Sequence, residues 1–219
     1  HFGGVATVGE VVSVTSEARI GCLMFCAPFR DRAVLAKSCV AIDHISEGRF
    51  EPGFGAGWHE PEFRAHGYDF PSTGVRFDML TDAFEIITGM LGPDETTTHQ
   101  GEHFSVDGVT CVPGPLNGSL RLWAGGRGPK RTPAIAARYC SGWNVPYVDP
   151  IEYQRLNEQL DAACEAIGRD PATLERSVNL AFHMGADRAS ADAELQRIID
   201  QWGPATAERL TGGAHTGFA

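Results

Sequence analysis

The sequence predicts an α/β fold of parallel βαβ units. Apolar strand-like runs alternate with amphipathic helix-like segments, two of those runs end in glycine-rich turns, and 219 residues suit one domain without an internal repeat or linker. A meander or a helical bundle would not alternate in this way.

Residues 5–14 read as a short helix and 19–26 as a strand. Residues 33–45 carry Val34, Leu35, Val40, Ala41 and Ile45 at helical spacing, and 49–55 form a strand that runs into glycines. Over 77–91, Leu80, Phe84, Ile87 and Leu91 share one helical face, and Gly92-Pro93 stops the helix. The stretch 94–119 is polar and rich in Gly, Pro and Thr, an excursion with a small hairpin expected at 102–111. A strand at 120–124, a helix at 129–139 and a short strand at 142–145 come next. A helix at 150–167 opens on proline, where a missing N–H costs nothing, and precedes a strand at 177–185. The last helix, 189–202, has Ser190 as its expected cap.

A formal net charge of −10 disfavours a nucleic-acid or anionic-membrane surface, and no apolar run approaches the roughly 18 residues of a membrane span. Six scattered cysteines read as buried thiols in a reducing cytosol, which makes the expected location cytoplasmic. No metal is expected, because the histidines lack the i, i+4 pairing of a helical site, and no G-x-S-x-G elbow anchors hydrolase chemistry.

One window breaks the acidic balance. Residues 108–148 contain no Asp or Glu, yet hold Arg121, Arg127, Lys130, Arg131 and Arg138. Within it, a strand ends in Gly125-Gly126-Arg127-Gly128 and feeds a helix with a basic first turn that includes Lys130. Glycines let a backbone approach an anion, and a helix N-terminus adds about half a positive charge. The turn reads either as a phosphate seat or as a plain βα turn with solvated basic residues; the absence of acids favours the seat. A second turn, Gly53-Phe54-Gly55-Ala56-Gly57-Trp58, lacks the dinucleotide-fingerprint spacing but would leave room for a flat ring at a strand's C-terminal end.

Taken in order, Arg19-Ile20-Gly21, Phe29-Arg30, Ala36-Lys37, Asp43-His44-Ile45-Ser46-Glu47-Gly48-Arg49, residues 53–58, Glu62-Phe63, Gly67, Arg76-Phe77, Gln100-Gly101, Gly125-Gly126, Ala136-Ala137-Arg138-Tyr139 and Gly142-Trp143-Asn144 resemble the bacterial luciferase-like monooxygenase superfamily. The resemblance implies a (β/α)8 TIM barrel and a single domain over 1–219, incomplete at both ends, with a first strand before His1 and an eighth after Ala219. It also implies coenzyme F420, with FMN as the alternative. The cofactor ring would sit on Leu23 and Met24, often a non-proline cis peptide in the family, and beside Gly55, Ala56, Gly57 and Trp58. The phosphate would sit at Gly125, Gly126, Arg127, Gly128 and Lys130. His1-Phe2 resemble the end of the Asp-His-Phe segment of the F420-dependent branch, which makes His1 the implied catalytic proton donor or acceptor. Trp58 stands where some F420-dependent dehydrogenases have a catalytic Glu.

The function this implies is hydride transfer between F420 and a small organic substrate, in a homodimer. The alternatives are an FMN-dependent monooxygenase fed by a cofactor reductase and a non-catalytic cofactor-binding barrel. Glu62 with Arg76, and likewise Asp43 and Arg49, are expected in structural ion pairing.

Overall fold

The computed structural model describes residues 3–180, 184–204 and 217–218. In it the chain builds α1 (Gly4–Ser13), β1 (Ile20–Cys26), α2 (Arg32–Ile45), β2 (Phe50–Gly55), α3 (Glu60–Ala65), α4 (Thr73–Leu91), β3 (Thr97–Gln100) and β4 (Ser105–Val109). It continues with β5 (Trp123–Gly125), α5 (Arg131–Tyr139), β6 (Gly142–Pro146), α6 (Pro150–Glu165), β7 (Glu175–Asn179), β8 (Met184–Gly185), α7 (Arg188–Trp202) and β9 (Gly217–Phe218). Five strands, in the order β1-β2-β5-β6-β7, form one all-parallel sheet. Each neighbouring pair is joined by a crossover that contains helix, as parallel pairing requires.

Both faces of this sheet can be assigned from side-chain partners. Phe54 meets Phe84 of α4 edge-on at 5.7 Å, and Trp143 stacks on Tyr153 of α6 at 6.2 Å, so these residues mark the helix-covered outer face. Alternate residues face the other way. On that inner face lie Glu51, Gly53 and Gly55 of β2, Trp123 and Gly125 of β5, and Asn144 of β6. At Gly53 a Cβ would meet the Cys22 carbonyl at 2.7 Å as well as the Met24 side chain, and at Gly125 it would take the space that the Met24 side chain fills. The room made by these two glycines is therefore filled by Met24. The Leu23–Met24 peptide bond is cis, and the β1/β2 register shifts between Cys22 and Phe25.

Several boundaries differ from the sequence reading. The strand expected at 177–185 begins two residues earlier and ends at Asn179, and Met184–Gly185 instead pairs with Gly217–Phe218 in a separate two-stranded sheet. Asp187, not Ser190, caps α7: its carboxylate accepts from the Ser190 N–H while the Ser190 hydroxyl accepts from the Asp187 N–H. α4 starts four residues before the expected Phe77, because Ser72 caps the Val75 N–H and carries the helix through Gly74. The strand expected at 120–124 is only Trp123–Gly125. The hairpin pairs Thr97–Gln100 with Ser105–Val109, so its first arm lies outside the predicted span, in polar residues that show no apolar alternation.

That hairpin is tied to α4 by one buried carboxylate. Asp82 of α4 accepts from the His103 and Phe104 N–H groups at 2.9 and 3.1 Å and contacts His99 Nε2 at 3.2 Å. Burial opposes ionisation of Asp82, but the His103 N–H, the His99 imidazole and the Phe104 N–H outweigh it and hold the carboxyl below its ordinary value. A depressed carboxyl stabilises the fold above the unfolded-state value of about 4 and loses that contribution as pH falls through the folded-state value. Asp82→Ala is expected to cost about 2 kcal/mol at neutral pH, since two backbone donors lose their acceptor. Denaturant titrations at pH 7 and pH 3 check this: the gap between wild type and variant narrows at the lower pH.

Arg76 makes no ion pair with Glu62. Its guanidinium instead donates to the Gly57 carbonyl at 3.3 Å, the Pro71 carbonyl and Thr73 Oγ1, and lies over the Phe70 ring. Arg49 bonds the Val12, Thr15 and Ala18 carbonyls, and Asp43 accepts from the Leu116 N–H at 2.8 Å. All three brace loops through backbone groups rather than through opposite charges.

Candidate cofactor site

β5 delivers Gly125 to the C-terminal edge of the sheet, the edge where barrel enzymes gather their functional groups. Gly126 follows with φ 148°, its N–H bonded to the Asn144 carbonyl at 3.0 Å and its carbonyl accepting from Trp143 Nε1 at 3.2 Å. The turn is thus pinned to β6 on both sides. Because the Gly126 N–H is spent in this way, the free backbone donors are those of Arg127, Gly128 and Lys130, which make no backbone bond among the described residues. The N–H groups of Arg131 and Thr132 in the first turn of α5 join them, having no intrahelical acceptor, while Pro133 has no N–H to offer.

Beneath the turn lies Thr132, 1% exposed. Its Oγ1 has no hydrogen-bond partner. A Cβ at Gly126 or at Gly128 would lie 3.1 Å from that oxygen, so the two glycines open directly onto it. A buried hydroxyl without a partner costs about 1–3 kcal/mol. At a helix N-terminus it finds its natural partner in an anion.

The basic window is less charged than it looks in sequence. Arg121 pairs with Glu51 at 3.0 Å and Glu175 at 2.6 Å, Arg131 with Asp78, and Arg138 with Glu85 at 3.0 Å. The acids come from outside the window, so the chain order hides them. Arg127 and Lys130 are exposed and make no ion pair among the described residues. Two cations, not five, remain for the turn, and Arg131, whose sequence position suggested that it would reinforce the seat, is bound instead to Asp78 and the Gly74 carbonyl of α4.

The other predicted residues fall around the same edge. Gly55 ends β2 where an added Cβ would be in ordinary contact with Met24, and Leu23 is 48% exposed. Ala56 is buried, and Gly57 adopts φ 78° where a Cβ would meet Phe63 and Cys26. Packing alone thus demands glycine at 57. Trp58 is largely exposed, with its ring 4.9 Å from that of His59. Burial pushes the Cys26 thiol up to about 12, so it stays protonated at neutral pH. His1 lies outside the described residues.

A cavity of about 500 Å³ lined by Phe29, Arg30, Arg32, Phe63, Tyr68 and Met79, among others, flanks the start of α2 and holds none of the predicted cofactor residues. Asp78, Glu102 and His103 each bring one metal-ligating atom within 4.8 Å of the others. Arg131 already occupies Asp78, which leaves two ligands, fewer than the three or four that hold zinc. Among the described residues, no helix is long and apolar enough to cross a membrane.

Sequence reasoning passed over Thr132. A hydroxyl at the second position of a helix that follows Gly-Gly-Arg-Gly was the signal that could have found it. It also gave Asn144 no role, although a polar residue between Trp143 and Val145 in an apolar strand stands out.

An uncharacterized protein of Mycobacterium tuberculosis is 30% identical over 166 residues, covering 75% of this chain and 56% of that one. This chain therefore spans little more than half the length of that relative. An F420-dependent secondary alcohol dehydrogenase, solved in complex with an F420-acetone adduct, superposes with a TM-score of 0.79 at 20% identity, covering 89% of this chain and 58% of that chain. Monooxygenase RslO1 from Streptomyces bottropensis gives a TM-score of 0.75 at 20% identity, covering 95% and 63%. These likenesses establish the luciferase-like TIM-barrel fold, of which the five-stranded parallel sheet is the described part. Residues 5–216 match the profile of the luciferase-like monooxygenase family, and the chain belongs to that family.

Proposed function

We propose that this chain holds a phosphate-bearing cofactor of the flavin type, with the phosphate at the Gly125–Gly128 turn, and serves hydride transfer between coenzyme F420 and a small organic substrate. The observation that carries the reading is Thr132: a buried, unpartnered hydroxyl beneath two glycines at a helix N-terminus, with Arg127 and Lys130 at the rim. This donor set fits the anionic phosphate ester that either cofactor carries. The backbone N–H groups supply oriented hydrogen bonds, the two cations supply charge, and Thr132 supplies a bond that bulk solvent cannot reach.

Bound there, the cofactor would supply the two-electron chemistry, and the protein's part is to place and orient it. Met24, seated over Gly53 and Gly125, gives the inner face an apolar surface next to the seat. In this reading His1 exchanges the accompanying proton, as its resemblance to the F420-dependent branch suggests. That resemblance is also what favours F420 over FMN, because both carry the phosphate that the turn would bind.

Fluorescence-quenching titrations with F420 and with FMN test the choice. Tighter binding of F420 is expected; binding of FMN alone would overturn F420 and favour the monooxygenase reading, for which labelled oxygen from O2 would then appear in product.

A further inference from the structure

The cavity of about 500 Å³ beside the start of α2 has the size of a small-molecule site and plays no part in the cofactor reading. Its wall is aromatic. Phe29 packs on both Phe63 and Tyr68, with ring centroids 4.4 and 4.9 Å away, and the Tyr68 hydroxyl donates to the Phe29 carbonyl at 2.9 Å. That bond fixes the two rings together and uses the Tyr68 proton, so the wall offers apolar surface. Met79 of α4 extends it.

Arg32 supplies the polar end. Its guanidinium lies over the Phe104 ring, with Cζ 3.0 Å from the centroid. The hairpin presents that ring because Asp82 holds the Phe104 N–H. Stacking engages only the face of the guanidinium and leaves its five in-plane N–H groups unused. Nε is buried without an acceptor, and Arg32 makes no ion pair or side-chain hydrogen bond among the described residues. Asp82 cannot serve it, since both carboxylate oxygens are engaged by His99, His103 and Phe104. Burial pulls the Arg32 guanidinium below its ordinary value, and the opposing pull of Asp31, Tyr68 and Asp82 is smaller. A half-buried cation held in place without an acceptor is unfavourable until an anion completes it.

The other charges around the cavity select the anion. Arg30 is engaged elsewhere: its Nη1 donates to the Cys26 carbonyl at 3.2 Å, and its guanidinium lies over the Phe25 ring. Asp31 and Asp69 line the cavity and are exposed, so they would repel a second negative charge. A single carboxylate therefore fits better than a phosphate dianion, and it matches the guanidinium fork with two parallel hydrogen bonds.

We infer that this cavity binds a small aromatic monocarboxylate, with its carboxylate on Arg32 and its ring against Phe29, Phe63 and Tyr68. The site is separate from the phosphate turn, and the inference stands or falls independently of the cofactor reading.

Isothermal titration of the intact chain with 2-naphthoate, its neutral amide and 2-naphthyl phosphate tests it. The acid is expected to bind at least about tenfold more tightly than the amide, the size of one charge-assisted hydrogen bond, and more tightly than the phosphate. Arg32→Met keeps the side-chain length and an apolar contact with Phe104 but deletes the charge and the donors. It is expected to abolish the advantage of the acid while leaving the amide affinity unchanged. Thr132→Val is expected to leave 2-naphthoate binding as it is in wild type.

Equal wild-type affinity for acid and amide would overturn the site, as would equal weakening of both by Arg32→Met, the sign of a wall that has merely shifted. Tighter binding of the phosphate would overturn the choice of a monocarboxylate. Displacement of 2-naphthoate by FMN, or its loss in Thr132→Val, would put the probe at the cofactor seat instead. If 2-naphthoate fails to bind and Arg32→Met splits a dimer in sedimentation, Arg32 pairs with an acid of a second copy and the small-molecule site is overturned.

Discussion

Glu51→Ala is expected to lower the unfolding free energy by about 2–3 kcal/mol. Glu51 is 8% exposed and faces into the barrel from β2, where it accepts from Arg19 Nη1 at 2.8 Å, Arg121 Nε at 3.0 Å and Trp123 Nε1 at 2.7 Å. The side chains of Arg19 and Arg121 are 60% and 46% exposed, so both guanidinium groups can return to water and contribute little to the loss. The indole N–H of Trp123 is less fortunate: its ring packs against Gly142, and its one hydrogen bond among the described residues is to Glu51. Glu51→Gln retains an acceptor and is expected to cost about 1 kcal/mol. This cluster stands at the N-terminal ends of the strands, opposite the phosphate turn, the face of a barrel that serves stability. Cofactor affinity in the folded variant should therefore match wild type. Denaturant unfolding and cofactor titration on the same samples measure both quantities.

Thr132→Val is expected to act in the opposite sense on the two quantities. Valine matches threonine in shape, and the hydroxyl it deletes has no internal partner to lose. The fold should be unchanged or more stable by up to about 1 kcal/mol, because an unsatisfied buried polar atom is removed. Affinity for the phosphate-bearing cofactor should fall about tenfold, one charge-assisted hydrogen bond being worth about 1.5–3 kcal/mol. A gain in stability with a loss of binding is the signature of a group kept for function. A threonine with a purely structural role would lose stability and leave binding alone.

The first four sheet strands were legible as short apolar or glycine-ended runs, and the helices because their apolar residues recur with the helical period, whereas β7 is the polar run Glu175–Asn179 and only its last three residues fell within the strand expected at 177–185. Their ends were less so. The strand expected at 177–185 breaks after Asn179, and α4 gains a first turn from a serine cap rather than from apolar spacing. The glycine turn was legible as well, since β5, its glycines and the start of α5 are adjacent in the chain. What lies beneath it was hidden for a different reason. The acids that neutralise Arg121, Arg131 and Arg138 are Glu51, Asp78, Glu85 and Glu175, far from the window in sequence and brought to it by the sheet order. Likewise, nothing in the order of residues tells that Met24 fills the room above Gly53 and Gly125, or that Asn144 commits its amide to Ser177 and Asn179. Such facts belong to strand neighbours, and strand order is not written locally.

The central claim is that the turn from Gly125 to Thr132 seats a phosphate. The most direct measurement is the affinity of wild type and Thr132→Val for the cofactor with and without its phosphate: FMN against riboflavin, and F420 against the same deazaflavin stripped of phosphate and tail. The account predicts that the phosphate strengthens wild-type binding by at least about a hundredfold and that Thr132→Val removes about tenfold of that gain while leaving the dephosphorylated form unaffected. Equal affinity with and without the phosphate, or an equal loss for both forms in the variant, would contradict it.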